Sequence, residues 1–581
     1  MKDLMVIWNT LSHRQIYSSV NINPNGDKVE QDEAKTNGRV SNIQRKSSVM
    51  VNKFFNTALP VHSDGRRRWS KNIFMLMTFG LLGLTCGCLT VLYQPYESLF
   101  QWKLTLGEGG ESFELWRKPE VDLYVKIYLF NVTNRDEYLS GKESKLRFQQ
   151  VGPYVYKELF EHANIVFNDN GTLSAVPVHP LQWIPEMSNG TEEDLVIMPN
   201  IALFSITNVM KDASYVSRWG LNMLIRQTDT HPLVQMTAHE FMFGYQSTLV
   251  TLGNHLMPSW IKFDKLGLID RMYDFDGDFE TIYTGETDIR LAGLIDKYNG
   301  DVNLPQWTGK CANVHGSSDG VKFPSYIKPN DTLLFFRKSL CRSERMVRTG
   351  EKTINGLHTY QYTFMENELD NGAINPENKC FCRQGLCLKP GLIDVTDCYY
   401  GFPIALSYPH FYKSDPSLVE AIEGLEPKKE DHESYFFIQP KSGIPVNIAF
   451  RFQINMALQN IEHMARVEKF SELTIPLLWF EIGMYELPKF MNLRFWLYLN
   501  ILPVMEEVMT YVLFLSGAML LIWSIMKILS YQAKGSSSEW LEMEKDRRKT
   551  QNEKQVELKD KEIDAYNSLL TSGDPSLALM V

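Results

Sequence analysis

Cysteine is scarce in this chain, eight in 581 residues, and no two of them form a C-x-x-C pair. That spacing speaks against the paired-cysteine zinc modules. Positive charge is not in excess either. The formal net charge is −10, which argues against a nucleic-acid binder and implies nothing more specific about partners. H-E-x-x-H, the phosphate-binding loop and the dinucleotide fingerprint are all missing. No internal repeat is visible. An enzyme is therefore not expected, and no catalytic residue, metal ligand or cofactor is assigned.

Charge is also missing from two long apolar runs. The first, "NIFMLMTFGLLGLTCGCLTVLY", covers Asn72 to Tyr93, with no charged residue between Lys71 and Glu97. A helix needs about 20 such residues to cross the bilayer hydrocarbon. The second, "VMTYVLFLSGAMLLIWSIM", follows Glu507 and stops before Lys527, and the preceding "FWLYLNILPV" extends it toward the interface. Soluble cores rarely tolerate helices without a polar face. Arg66, Arg67, Arg68 and Lys71 precede the first run, and Lys527 and Lys534 follow the second. Basic residues stay on the cytoplasmic side. The expected order is a disordered cytosolic tail (1–71), a span (72–93), an external domain (94–507), a span (508–530) and a cytosolic tail (531–581). The first run is too long, and too far from Met1, for a cleaved signal. The sequons at Asn131, Asn170, Asn189 and Asn330 all fall in the external part, as glycosylation requires.

What cysteine there is follows the same division. Cys86 and Cys88 lie in the first span, beside a G-x-x-x-G of Gly83 and Gly87. They read as small residues for helix packing, with Ser516 and Gly517 facing them from the second span. The other six are Cys311, Cys341, Cys380, Cys382, Cys387 and Cys398, all external. An even number in an oxidising compartment reads as three disulfides rather than a metal site. Spacing alone does not choose their pairing.

The external part mixes strand and helix periods. "VDLYVKIYLFNVT" (121–133) and "GIPVNIAFRFQINM" (443–456) alternate as half-buried strands. "VGPYVYKELF" (151–160) reads as a strand whose Pro153 belongs at a start or an edge. Pro199 to Tyr245 reads as helical, broken near "TDTHP" (228–232). "YDFDGDFE" (273–280) looks like a calcium loop, but Gly277 is displaced and Gly285 stands where the loop needs Glu. A solvated turn is expected there. Gly316, Ser318 and Gly320 match G-x-S-x-G without the strand and helix that a nucleophile elbow needs. In the second tail, "EWLEMEKDRRKTQNEKQVELKDKEIDAY" reads as a solvated helix. Starting at its last residue, Tyr566 to Leu569 fits the Y-x-x-Φ signal read by endocytic adaptors, and Tyr17 to Val20 fits it more weakly.

Several longer blocks, in order, resemble the class B scavenger receptors: "IYLFNVTNRDEY", "VGPYVYKE", "LIDKYNGDVNLPQW", "VHGSSDGVKFP", "CFCRQGLCLKPGLIDVTDCYYGFPIALSYPHF" and "PVNIAFRFQINM". That group includes fatty-acid translocase, lysosomal integral membrane protein type 2 and the insect sensory neuron membrane proteins. The resemblance covers about residues 72–530. It implies an α+β ectodomain, with a β-barrel-like core and a helical bundle at the top, tethered by two transmembrane helices. It also implies a lipid-conducting tunnel, and the pairs Cys311–Cys380, Cys341–Cys398 and Cys382–Cys387. The helical top would be about Pro199 to Tyr245, where family members hold their ligand surface and several display a basic cluster. Here Arg218, Arg226 and His231 are offset by Asp212, Asp229 and Glu240. That departure weakens the expectation of strongly anionic ligands. The 71-residue amino tail is a second departure, with Met50 as an alternative start.

The expected function is capture of lipids, lipoproteins or lipid-bearing debris, with lipid transfer or endocytic uptake. The expected place is the plasma membrane, or the endosome and lysosome, with both termini cytosolic. A lysosomal sorting receptor or sensory lipid co-receptor is the alternative within the family. A two-span oligomeric ion channel is the alternative of another class, opposed by a second span with little polar lining beyond Ser516 and Ser524. Adhesion alone is a third reading.

Overall fold

The structure, a computed structural model, describes residues 71–251 and 265–571. Tyr17 to Val20 and Met50 lie outside the described residues. The molecule divides into two compact units. The larger is Phe79–Ile522, and the smaller, among the described residues, combines 71–78 with 523–571.

Strands dominate the centre of the larger unit. In chain order the first are β1 (Leu123–Val132), β2 (Phe148–Glu158), β3 (Glu161–Phe167), β4 (Thr172–Val178), β5 (Leu181–Trp183), β6 (Leu195–Pro199) and β7 (Leu233–Thr237). Next come β8 (Glu280–Tyr283), β9 (Ile295–Tyr298), β10 (Leu333–Arg337), β11 (Arg342–Ile354) and β12 (Leu357–Phe364). The last are β13 (Ile393–Asp394), β14 (Ile404–Ser407), β15 (Tyr435–Ile438), β16 (Pro445–Ala457) and β17 (Thr474–Met484). Eleven of them form one sheet along β10-β11-β12-β15-β16-β17-β1-β2-β5, with β14 joining at β16 and β13 at β14. A second sheet runs β3-β4-β8-β9. Ser318 bridges to Leu294 beside β9 and to Phe335 of β10, so it links the two sheets.

Side-chain alternation decides which face is which. Val125, Phe450 and Ile482 share a register on β1, β16 and β17 and are buried. One residue along, Lys126, Arg451 and Glu481 share the opposite face. There Lys126 Nζ lies 3.1 Å and Arg451 Nε 2.6 Å from the Glu481 carboxylate. Opposite charges on one face hold the register, because a one-residue slip would bury them. Tyr128 and Trp479 stack on that same face, ring centroids 4.0 Å apart.

Three expectations need correction or narrowing. Pro153 lies inside β2 and not at its start, but it does lie at an edge, because β5 pairs only with Tyr156–Glu158 and β1 alone flanks the strand at the proline. The β1–β2 register shifts between Ile127 and Leu129, and this bulge frees the strand from needing a donor at proline. The segment Pro199–Tyr245 is not helical throughout. Ile201–Val209, Tyr215–Gln227 and Ala238–Phe243 are α-helices, but Leu233–Thr237 is β7, paired antiparallel with β6. Backbone pairing overrides a weak helical pattern there. The helices open on side-chain caps: Asn200 accepts from Leu203 N, Ser214 from Ser217 N, and Thr237 forms a capping box with Glu240. Thirdly, 273–280 is solvated only in part. Asp276 and Gly277 are exposed, whereas Glu280 is buried and Phe275 stacks on His179.

Two helical stretches, Lys71–Leu104 and Lys489–Ser530, are long and apolar enough to cross a membrane. The helix Leu502–Thr571 continues beyond it, and from Trp540 to Ser568 its residues are exposed. Glycine brings the two together. A Cβ on Gly83 would lie 3.2 Å from Gly517 Cα, and one on Gly517 would lie 2.9 Å from Leu84 N. Gly87 meets the Phe514 ring instead. Ser516 turns its hydroxyl to Val512 O of its own helix, 2.6 Å. In the smaller unit, Ser524 Oγ donates to Ile73 O at 3.4 Å.

Candidate functional site

The two sheets wall a cavity of about 100 Å³. Its apolar wall includes Phe335, Phe436, Phe450 and Ile482. A second cavity of about 130 Å³ lies beside it. The two share Leu123, Glu158, Phe160, Gly320, Val321 and Ile448, so they are adjoining cavities with a common wall. The second cavity reaches Leu104, Met491 and Phe495. Those residues belong to the stretches Lys71–Leu104 and Lys489–Ser530. Adjoining apolar cavities, the second bordered by such helices, suit an acyl or sterol body rather than a polar metabolite.

The cavities also carry charge, and the charge is paired. The Glu158 carboxylate accepts from Arg337 Nη2 at 3.2 Å, His179 Nδ1 at 2.5 Å and Tyr273 Oη at 3.0 Å. Burial would raise its pKa, but the Arg337 charge and the His179 and Tyr273 hydrogen bonds outweigh that and hold it down to about 2. Burial lowers the His179 pKa and keeps the ring neutral, donating to Glu158. Lys322, on the wall of the second cavity, turns its ammonium away to Ala292 O, Phe323 O and Ser325 Oγ. Burial drops its pKa to about 7, against the pull of Asp319.

Beside the first cavity lies a second polar cluster. His162 is buried between Trp116, whose ring stacks on it at 3.7 Å, and the edge of Phe160. Its Nδ1 lies 2.9 Å from Trp116 O. Its Nε2 lies 2.9 Å from Glu280 Oε1 and 3.6 Å from Asp319 Oδ2. Burial opposes an imidazolium, but Asp319 and Glu280 raise the His162 pKa to about 9. Burial and the Asp319 charge raise that of Glu280 as well, so the group retains a proton between its members. Sequence reasoning missed these residues. His162 and Glu280 are 118 positions apart, and no local motif joins them.

Six of the cysteines are joined as Cys311–Cys380, Cys341–Cys398 and Cys382–Cys387. Cys86 and Cys88 are free thiols. Asn170, Asn189 and Asn330 are exposed. Asn131 is half-buried in β1, and its Oδ1 accepts from Ile197 N at 2.8 Å. Ser318 donates its hydroxyl to Lys322 O at 2.7 Å and is buried, a structural use of G-x-S-x-G. Tyr566 is exposed on the long helix, with Leu569 one turn on.

Of the charged residues named for the helical top, only Asp229 and His231 come together, 3.5 Å apart. Arg466, which sequence reasoning did not name, donates to Asp229 at 2.6 Å. Glu240 is spent on the capping box, Asp212 pairs with Lys211, and Arg218 donates to Lys211 O. Arg226 is exposed. The outer face of helix Tyr215–Gln227 is instead apolar, with Tyr215, Val216, Trp219 and Met223 exposed.

Comparison with known proteins agrees with this geometry. A family model described as the CD36 family matches residues 75–528. Scavenger receptor class B member 1 of Sus scrofa is 30% identical over 475 residues, covering 81% of this chain and 92% of the pig protein. Protein peste of Drosophila melanogaster is 29% identical over 413 residues, covering 69% of this chain and 74% of its own. Lysosome membrane protein 2 of Mus musculus is 30% identical over 393 residues, covering 67% and 80%.

Proposed function

The chain belongs to the CD36 family, and from that premise we propose a two-span scavenger-type receptor that binds lipid-bearing ligands and passes lipid toward the membrane or carries cargo inward. The observation that carries this reading is the pair of adjoining apolar cavities, the second of which reaches Leu104, Met491 and Phe495, and we read them as one passage. Moving a free acyl chain through water costs about 0.8 kcal/mol per exposed methylene. A lined passage ending at the span helices removes that cost without chemistry or cofactor. Lipids, lipoproteins and lipid-bearing debris are the ligands in this reading.

Residues 94–507 then lie outside or in the lumen, and the tails 1–71 and 531–581 in the cytosol. The basic residues flanking the spans support that orientation. The plasma membrane is the main residence. The similarity to a protein named for the lysosome membrane supports endosomal and lysosomal passage too, with Tyr566 and Leu569 as the adaptor signal. Native mass spectrometry with lipid extraction on the full-length protein tests the reading. Near-stoichiometric fatty acid, sterol or phospholipid supports it. Folded protein that is lipid-free and refuses added lipid removes it.

A further inference from the structure

We propose that His162, Glu280 and Asp319 form a binding site for one divalent transition ion of the zinc class, set in the wall of the passage. Three observations carry it. First, the three ligand atoms all lie within 4.8 Å of one another. Two zinc ligands at ordinary bond lengths and tetrahedral angle sit about 3.4 Å apart. The His162 Nε2 separations of 2.9 and 3.6 Å bracket that spacing. Secondly, the ring is oriented as metal-bound histidines are. Nδ1 faces the Trp116 carbonyl at 2.9 Å, which fixes the tautomer and leaves Nε2 to the ion. Trp116 and Phe160 hold the ring plane from two sides.

Thirdly, Asp319 Oδ2 is buried and accepts no hydrogen bond. Of the groups around it, His162 faces it with Nε2 3.6 Å away, beyond hydrogen-bond length, and the other two cations are engaged elsewhere. Arg337 donates to Glu158, and Lys322 donates to two carbonyls and a hydroxyl. A buried carboxylate oxygen with no donor at hydrogen-bond length is costly, and an ion replacing the His162 proton between it, Glu280 and Nε2 satisfies all three at once. One imidazole and two carboxylates form a borderline donor set suited to zinc rather than to calcium or magnesium, which prefer oxygen alone. Glu280 and Asp319 also line the first cavity, so a fourth position faces the passage and takes a water there.

The full-length protein, purified in detergent without chelator, tests this directly. Inductively coupled plasma mass spectrometry should find about one zinc per chain, retained on desalting and released by a strong chelator. Reloading with Co²⁺ should give the visible absorption of a four-coordinate ion. Asp319→Asn and Glu280→Gln keep side-chain shape, so folded variants should retain less than about a tenth of the wild-type metal. X-ray absorption on the wild type alone, needing no variant, should show a nitrogen and oxygen shell with a single imidazole. Folded wild-type protein that holds no ion after loading with zinc or cobalt overturns the proposal. So does a folded Asp319→Asn that retains the metal fully, or a shell containing sulfur.

Discussion

Replacing Arg337 by Met should destabilise the ectodomain in a pH-dependent way. Arg337 and Glu158 form an almost fully buried pair, side chains 13% and 0% exposed. In the wild type the Glu158 pKa is depressed from 4.5 to about 2. At 1.36 kcal/mol per unit this corresponds to about 3 kcal/mol of stability. A depressed carboxylate contributes fully above its unfolded pKa and loses that contribution as pH falls through the folded one. Between pH 7.5 and 5 the wild-type contribution therefore barely changes. Arg337→Met removes the largest influence opposing burial and leaves a buried charge, at a cost of about 3–5 kcal/mol near neutrality. Burial then lifts Glu158 above its unfolded pKa. A raised carboxylate contributes stability at low pH and loses it as pH rises. The variant's deficit should thus shrink markedly at pH 5, and Glu158→Gln added to it should restore part of the loss at pH 7.5. Denaturant unfolding followed by tryptophan fluorescence measures both. An equal deficit at the two pH values, or a loss under about 1 kcal/mol, would refute the reasoning.

The disulfides should differ in weight. Cys311–Cys380 and Cys341–Cys398 close loops of 69 and 57 residues, and Cys382–Cys387 one of 5. Chain entropy gives about 4 kcal/mol for each long loop and about 2 for the short one. Paired Cys→Ser variants should therefore fall in that order in secretion yield and unfolding midpoint. Gly517→Leu should force the two spans apart, since its Cβ would already lie 2.9 Å from Leu84 N and 3.0 Å from Gly80 O. Thermal scans in detergent should show a lower midpoint, and an unchanged midpoint would contradict the helix contact. Tyr566→Ala should raise the surface level and slow antibody uptake, and unchanged values would remove the adaptor signal.

Which features the sequence revealed follows from how local their causes are. The apolar runs at 72–93 and after Glu507 were legible because a span is a contiguous property of composition. The strands at 121–133 and 443–456 were legible because alternation repeats every two residues. Leu233–Thr237 was not, because its strand state depends on Leu195–Pro199, 34 or more positions away. The polar groups in the passage wall were invisible for the same reason. Glu158 meets Arg337 across 179 positions, and His162 meets Glu280 across 118. Only the closure of the two sheets brings such residues together. Glu280 was hidden further by its setting, since "YDFDGDFE" looks solvated while its last residue points inward. The cysteine pairing came with the family resemblance and not with spacing.

The passage is the centre of the account, and Val321 is the place to close it. It lines both segments on a loop outside the strands. An indole at Val321 displaces roughly three methylenes of a bound chain, worth about 2.4 kcal/mol, or about 50-fold in affinity. The deciding measurement is the rate of fluorescent fatty-acid or sterol delivery into cells carrying equal surface amounts of wild-type protein or Val321→Trp. The account predicts a fall of about that size, with capture of lipid-bearing particles at the surface unchanged. Equal delivery by the two proteins, at matched surface level and stability, would contradict a route through the passage.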